Sequence, residues 1–389
     1  MKRLLVILGE YLEGTAQNGL CIKGLVDYWE ESGVEVDIVC KENKGIETPK
    51  MNVHPITTIN KSNKLIKNAK KMLNIPIGDK KLVNLFAIKI KQLMHQKDFD
   101  AMIAVINPTE TAEALYKVKK YNLKTILYEI DPTSNRYKNP QNLFQHFWKA
   151  MSMKWEKKIY NQMDYIIHMK THKKHYSNEF YKEFAQKTYY MDIPCFDVKD
   201  FIGSPTMKAN RKIKLLYAGA FYPVLREPYY MIELFSLLKK HTDIVLSIYT
   251  GANMKKELND IANKHKSFIS LYDVIPKKKL KKIIMDSDIL VSVGNSNSDF
   301  LPSKILSYMS TGKPVIHFYS DEYDVSLLYL RRYPLCLLID QNKLSKDNIS
   351  RLISFLDIYE NEKIDVNQLM IEFADNIPEN SAREILDLI

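Results

Sequence analysis

A chain of 389 residues is too long for one ordinary core, so two domains are expected. Its 46% hydrophobic and 26% charged residues exclude a low-complexity or disordered chain, and its net charge of +11 points to an acidic partner: nucleic acid, an anionic membrane face or phosphorylated small molecules. Four cysteines (Cys21, Cys40, Cys195, Cys336) lie far apart without CxxC spacing, which indicates neither a zinc site nor a disulfide framework. No apolar run approaches the roughly eighteen residues that a spanning helix requires. These totals read as a soluble or peripheral protein of a reducing compartment.

The opening "MKRLLVILGEYLEG" has a basic tip, but its short apolar run ends in Gly-Glu and reads as a first β-strand instead of a signal sequence. Further strands are expected at "VEVDIVC" (34–40), "FDAMIAVI" (99–106), "KTILYEI" (124–130) and "DYIIHM" (164–169), after a first at 3–9. Amphipathic helices lie between them near 19–32, 108–121 and 140–162. Continuous apolar strands alternating with helices predict a parallel sheet covered on both faces. The segment 61–97 stands apart, with ten lysines against one acid, Asp79, interleaved with apolar residues. It reads as a solvated helical pair on the domain flank or as a membrane-surface helix held to anionic lipid. No recognition motif accompanies the charge, so nucleic acid is not expected as a partner.

Near residue 192 the alternation breaks. "DIPCFDVKDFIGSPTMKANRK" (192–212) has Pro, Gly, Ser and Asn without periodicity and reads as a linker. Strands then resume at 212–220, 243–251, 268–275, 288–294, 313–320 and 335–340, again separated by helices. The predicted organisation is a first domain over 1–195, a linker over 196–211, a second domain over 212–377, and a last helix over 378–389 that crosses back to the first domain. The fold class is α/β: two tandem doubly wound, Rossmann-like domains facing across a cleft between their strand C-terminal edges, where such sheets bind ligands.

Two loops of the second domain carry candidate chemistry. In "SDFLPSKILSYMSTGKPVI" (298–316), Pro302 suits the first helical position and Gly312 the C-terminal cap before Lys313-Pro314. Free backbone N–H groups around Leu301, Ser303 and Lys304 would form an anion site, to which Lys304 adds charge. Asp299 is placed to accept hydrogen bonds from sugar hydroxyls. In "YAGAFYPVLREPYYMIELF" (217–235) the chain runs from a strand through Gly219 into a helix, and Arg226 supplies a planar cation suited to a diphosphate. Each loop alone reads equally well as a capped helix with a surface cation. Together, at neighbouring strand edges, they favour a site. The Asp286-Ser287-Asp288 triplet imitates a metal-binding DxD but closes a helix and opens a buried strand, so it reads as structural. His168, His172 and His175 resemble a metal cluster, yet a lysine-rich surface helix explains them better.

Almost the whole chain resembles the retaining GT-B glycosyltransferases, group 1 or family 4-like, that build bacterial surface polysaccharides. The resemblance is carried by "GEYLEGTAQNGLCIKGLVDYWEESGVEVDIV", "YAGAFYPVLREP" and "DFLPSKILSYMSTGKPVI". That family places two glutamates seven residues apart in the last motif, the first contacting the donor sugar and the second the ribose. The matching positions here are Asp299 and Ser307, so the second carboxylate is replaced by a hydroxyl. The family's glycine loop often has Arg directly after the glycine and Lys seven residues after it; here those positions are Ala220 and Arg226.

The resemblance implies transfer of a sugar, a hexose by expectation, from a nucleotide diphosphate sugar to a glycan acceptor, lipid-linked or at the cell surface. The expected donor is a UDP-sugar, with no cofactor and no metal. It implies catalytic roles for Arg226, Lys304 and Asp299, and donor binding by Gly219, Arg226, Asn295, Asp299, Leu301, Ser303, Lys304 and Ser307. In the first domain Asn18 and Gly19 would face the cleft. Glu129 and Asp131 of "YEIDP" (128–132) read either as acceptor ligands or as turn chemistry before Pro132. The implied location is cytoplasmic, peripheral on the inner face of the plasma membrane. The alternative is an inactive partner subunit of the same fold that binds a glycan or an active transferase.

Overall fold

The computed structural model describes residues 1–11, 17–42, 51–57, 78–106, 108–119, 123–137, 140, 142–202, 212–251, 253–296, 301–302, 304–343, 345–359 and 364–389. The chain divides into two compact units, one formed by Met1–Pro194 with Pro378–Ile389 and the other by Cys195–Ile377.

The first unit holds β1 (Arg3–Ile7), β2 (Glu35–Lys41), β3 (Val53–Ile56), β4 (Ala101–Val105), β5 (Lys124–Glu129), β6 (Tyr165–Met169) and β7 (Thr188–Met191). They form one parallel sheet in the order β3-β2-β1-β4-β5-β6-β7, with Leu4 opposite Val36 on one side and Ala101 on the other. Every residue of β4 is buried, which is why its sequence is a continuous apolar run. Two strands had no sequence signal. β3 is four residues long and contains Pro55, and β7 is an edge strand of half-exposed tyrosines.

Helix Lys80–Gln96 answers the question of the lysine-rich segment for its described part. Asp79 caps it, accepting from Lys81 N at 2.9 Å, and Val83, Phe86, Ala87, Ile90 and Leu93 point inward. These residues pack with Leu115 and Val118 on Leu5, Met102 and Ala104 of the sheet. Those five residues are spent on the core, and the lysines form a solvated outer face that Leu85 and Ile88 share. The described part of the segment thus covers the sheet; 61–77 lie outside the described residues.

Helix Pro378–Asp387 belongs to this same unit, packed on helix Gln17–Glu31. Trp29 Nε1 donates to the Ala382 carbonyl at 2.9 Å. Gly24 lets the two backbones approach, since a Cβ there would lie 2.9 Å from the Pro378 ring.

The second unit holds β8 (Ile213–Ala218), β9 (Ile244–Tyr249), β10 (Ile269–Tyr272), β11 (Ile289–Val293), β12 (Val315–Tyr319) and β13 (Cys336–Asp340). They form a parallel sheet in the order β10-β9-β8-β11-β12-β13. In both sheets the strand order reverses after the first strand, at β1/β4 and at β8/β11. A crevice opens at such a reversal, at the strand C-terminal ends. No helix among the described residues is long and apolar enough to cross a membrane.

Candidate functional site

At the β8/β11 reversal the sequence puts two loops side by side. β8 ends at Ala218, and Gly219 follows; a Cβ there would sit 3.0 Å from Tyr217 Oη, so a side chain would displace the Tyr217 ring, which stacks on Phe221 with centroids 4.3 Å apart. The chain then makes a tight turn, closed by reciprocal backbone bonds between Tyr222 and Arg226, each 2.9 Å. Val224 at its tip has φ +67°, an uncommon conformation for a β-branched residue. The turn brings Arg226 back over the strand edge.

Asn295, two residues after β11, receives the guanidinium. Its Oδ1 accepts from Arg226 Nε at 3.1 Å and Nη2 at 2.7 Å, while Nη1 reaches the Ala220 carbonyl at 3.5 Å. Ser296 N donates to the Leu225 carbonyl at 2.7 Å, joining the loops through their backbones as well. Lys304, from the segment after β11, donates through Nζ to the carbonyl of Ala218, which Tyr308 Oη also approaches at 3.4 Å. Burial of the ammonium first, and then the nearby Arg226 charge, push Lys304 down to about 8, although the residue as a whole is exposed to solvent. Burial likewise raises the Tyr217 phenol to about 12 against the opposing pull of Arg226.

These groups line a cavity of about 320 Å³ that includes Gly219, Arg226, Asn295, Leu301, Lys304 and Tyr308. Among the described residues lining it there is no carboxylate. Two cations lean on neutral carbonyl and amide oxygens, and the Arg226 charge disfavours the Lys304 ammonium, so a dianion entering between them would relieve that repulsion. The volume lies within the lower range for small-molecule sites.

Several expectations need correction here. The helix is described over Lys304–Met309 only, and the Pro302 carbonyl accepts from Ile305 N at 3.0 Å, so Pro302 stands at its start. A helix this short adds little dipole, and the positive charge at the cavity comes from the Arg226 and Lys304 side chains instead. Ser307 is exposed and is not among the cavity-lining residues. Asp299 and Ser303 lie outside the described residues, as does Asn297. Gly312 does adopt φ +75°, and a Cβ there would approach Phe201 to 2.5 Å. Lys313, which read as a simple helix stop, is buried: its Nζ donates to the carbonyls of Met285 (2.9 Å) and Ser287 (2.5 Å), at the end of helix Lys277–Asp286.

In the first unit, Asn18 and Gly19 lie in the first turn of helix Gln17–Glu31, and Gly19 is buried; the Asn18 side chain lies outside the described residues. Glu129 is no acceptor ligand. It is 1% exposed, accepting hydrogen bonds from Tyr160 Oη and from Tyr176 Oη at 2.8 Å. Glu156 is buried nearby, held by Tyr181 Oη at 2.7 Å and Ser134 N at 2.7 Å. Burial pushes both carboxyls well up from the usual range. Asp131 is half-buried and lies 3.3 Å from His172 Nε2.

The three histidines go separate ways: His168 stacks on Tyr176 at 3.4 Å, and His175 reaches Ser134 Oγ and Tyr181 Oη, both at 3.1 Å. No group of three or more potential ligands among the described residues could hold a metal. Asp288 is a strand-edge clasp, accepting from Lys214 N at 2.8 Å. Sequence reasoning missed Tyr217, Ala218 and Tyr308 at the cavity, because a carbonyl oxygen or a core-facing tyrosine has no distinguishing motif.

No protein-family model matches the chain, and no curated protein sequence does. Solved structures do. Sucrose-phosphate synthase from Thermosynechococcus elongatus is similar over 100% of this chain and 98% of its own, with a TM-score of 0.67 at 13% identity. The catalytic domain of starch synthase IV from Arabidopsis thaliana, bound to ADP and acarbose, covers the same shares with a TM-score of 0.63 at 10% identity. UDP-GlcNAc 2-epimerase from Methanocaldococcus jannaschii is similar over 99% of both chains, with a TM-score of 0.54 at 12% identity. The chain therefore has the GT-B fold of two tandem Rossmann-like units, a fold found in both synthases and an epimerase.

Proposed function

We propose that this chain is a retaining glycosyltransferase that moves a sugar, a hexose in the first instance, from a nucleotide diphosphate sugar to a glycan acceptor. The acceptor is lipid-linked or part of a surface polysaccharide, the donor a UDP-sugar, and the place of work the inner face of the plasma membrane. One observation carries the reading: Arg226 and Lys304 share a cavity with no described carboxylate, at the strand edge where this fold binds ligands. A diphosphate is the ligand whose charge and size answer that arrangement.

Catalysis then follows from where charge develops. As the bond from the anomeric carbon to the β-phosphate oxygen breaks, negative charge grows on that phosphate, and Arg226 and Lys304 stabilise it. The acceptor hydroxyl enters on the same face, and the departing phosphate oxygen takes its proton. Asp299 orients the sugar hydroxyls, and the two cations fill the charge-neutralising role without a metal. Asn295 fixes the guanidinium beforehand, so little reorganisation is needed at the moment of reaction.

A second reading, an inactive partner subunit, is favoured by the exposed Ser307 at the place of a ribose-binding carboxylate and by Ala220 at the place of a second cation. A panel of sugar nucleotides, watched for free nucleotide diphosphate with and without glycan acceptors, separates the two. Release expected from one donor supports the transferase. Folded protein that neither binds nor hydrolyses any of them at millimolar concentration refutes it.

A further inference from the structure

We propose that helix Leu143–Gln162 docks the first unit on an anionic lipid surface, with its first two turns entering the interface and the lysines behind them meeting headgroup phosphates. The beginning of this helix is turned inside out. Its buried residues are Ser152, Glu156, Ile159 and Tyr160, whereas Leu143 is 86% exposed, Phe144 74% and Phe147 57%. A helix that only covers a sheet buries its large apolar residues and exposes its polar ones; the beginning of this one does the reverse.

The exposed positions, with the half-buried Met151, form one stripe. Leu143, Phe147, Met151, Lys154 and Lys158 recur at intervals of four, four, three and four residues, with Phe144 beside them. Lys154 and Lys158 are exposed, the latter with its ammonium 4.7 Å from the Tyr116 ring. At about 1.5 Å per residue, Lys154 stands roughly 10 Å and Lys158 roughly 16 Å along the axis from Phe147. Amphipathic helices bury their apolar face about 5–10 Å into the headgroup boundary. If this helix enters tip first, its phenylalanines reach such a depth and the two lysines, further back along the axis and on flexible stems, stay at the level of the phosphates.

Charge selects the occupant. The helix carries Lys149, Lys154, Lys157 and Lys158, and its single acid, Glu156, is fully buried. Lys157 is paired with Glu183 of a neighbouring segment. The exposed stripe itself holds cations only, which suits an anionic surface. A second copy of the chain fits poorly. Three such side chains cover roughly 500 Å² at best, below the about 800 Å² per partner of a specific protein interface. Lipid docking is independent of the transfer chemistry; a lipid-linked acceptor would give it its purpose.

Trp148 makes the test local, since its ring lies 5.1 Å from that of Phe147. Vesicles of phosphatidylcholine mixed with phosphatidylglycerol should bind the full chain at physiological ionic strength, and brominated lipid should quench its fluorescence. Trp148→Phe should remove most of the quenching and leave binding in place. Phe144→Ser with Phe147→Ser should lower vesicle partitioning at least tenfold, and Lys154→Gln with Lys158→Gln several-fold, chiefly on the anionic vesicles. Nucleotide diphosphate binding should stay at the parent level in all of them, so failure here is separable from failure of the proposed activity. The proposal is overturned if the parent ignores anionic vesicles, if the phenylalanine pair binds like the parent, or if sedimentation shows a dimer that the same pair abolishes.

Discussion

Replacing Lys304 by methionine should move stability and ligand binding in opposite directions. At about 1.4 kcal/mol per pH unit, holding the ammonium at about 8 in place of 10.5 disfavours its charged form by at most about 3.4 kcal/mol. Part of the residue is open to water, which screens the charge, so about 1–2 kcal/mol is the working figure. Methionine removes that cost and gives up one hydrogen bond to the Ala218 carbonyl, worth about 1 kcal/mol, while Tyr308 stays near that carbonyl. The second unit of Lys304→Met should therefore melt at the parent's temperature or above it, with a gain of up to about 1 kcal/mol.

Diphosphate binding should meanwhile weaken by about 1.5–3 kcal/mol, the loss of a charged hydrogen bond, or roughly ten- to a hundredfold in Kd. The sign of the pH effect is fixed by the same numbers. The unfolded chain holds this proton more tightly than the folded one, so the parent should gain stability as pH rises from about 8 towards 10.5, and the variant should lack that gain. Calorimetry with UDP and thermal melts across this range test both halves. A variant more than about 1 kcal/mol less stable, with unchanged UDP affinity, would make Lys304 a structural residue and refute the reasoning.

Asn295→Ala should release the Arg226 guanidinium and cost about 1 kcal/mol of UDP affinity by calorimetry, with little change in melting temperature. Asp299→Ala should leave free UDP affinity nearly intact while turnover of the sugar nucleotide falls; equal loss of both would assign Asp299 to loop conformation. Burial raises the Glu129 carboxyl to about 7, so the folded chain binds its proton more tightly than the unfolded chain, and stability should fall as pH rises from 4.5 towards neutrality. Glu129→Gln should flatten that fall, leaving the part due to Glu156, as melts over the range would show. Gly312→Ala should destabilise the second unit by about 1–2 kcal/mol for its left-handed backbone alone, read from denaturant midpoints.

Strands such as β4 and β11 were legible because a sheet buried on both faces writes itself as an unbroken apolar run. Edge strands carry no such mark, and Pro55 in β3 argues against a strand, although an edge position tolerates a residue without an N–H. At the site, Arg226, Asn295 and Lys304 could be marked because polar groups at loop ends after buried strands are informative. Glu129 was misread for the same reason. A carboxylate at a strand end looks solvent-facing until Tyr160 and Tyr176, supplied by segments thirty and more residues away, close over it. Periodicity also cannot tell which side of a helix faces in. The spacing of Leu143, Phe147 and Met151 would suit a core face, and only the packing of Ser152 and Glu156 shows that it is the outer one.

The return of helix Pro378–Asp387 to the first unit has a consequence during synthesis. Residues 1–194 leave the ribosome first, yet the surface around Gly24 and Trp29 has no cover until the residues near Ala382 have been translated. Cys195–Ile377 is continuous and can finish folding in the meantime. The unit that starts first is thus completed last, and in the interval its exposed tryptophan face is the part of the nascent chain a chaperone would meet.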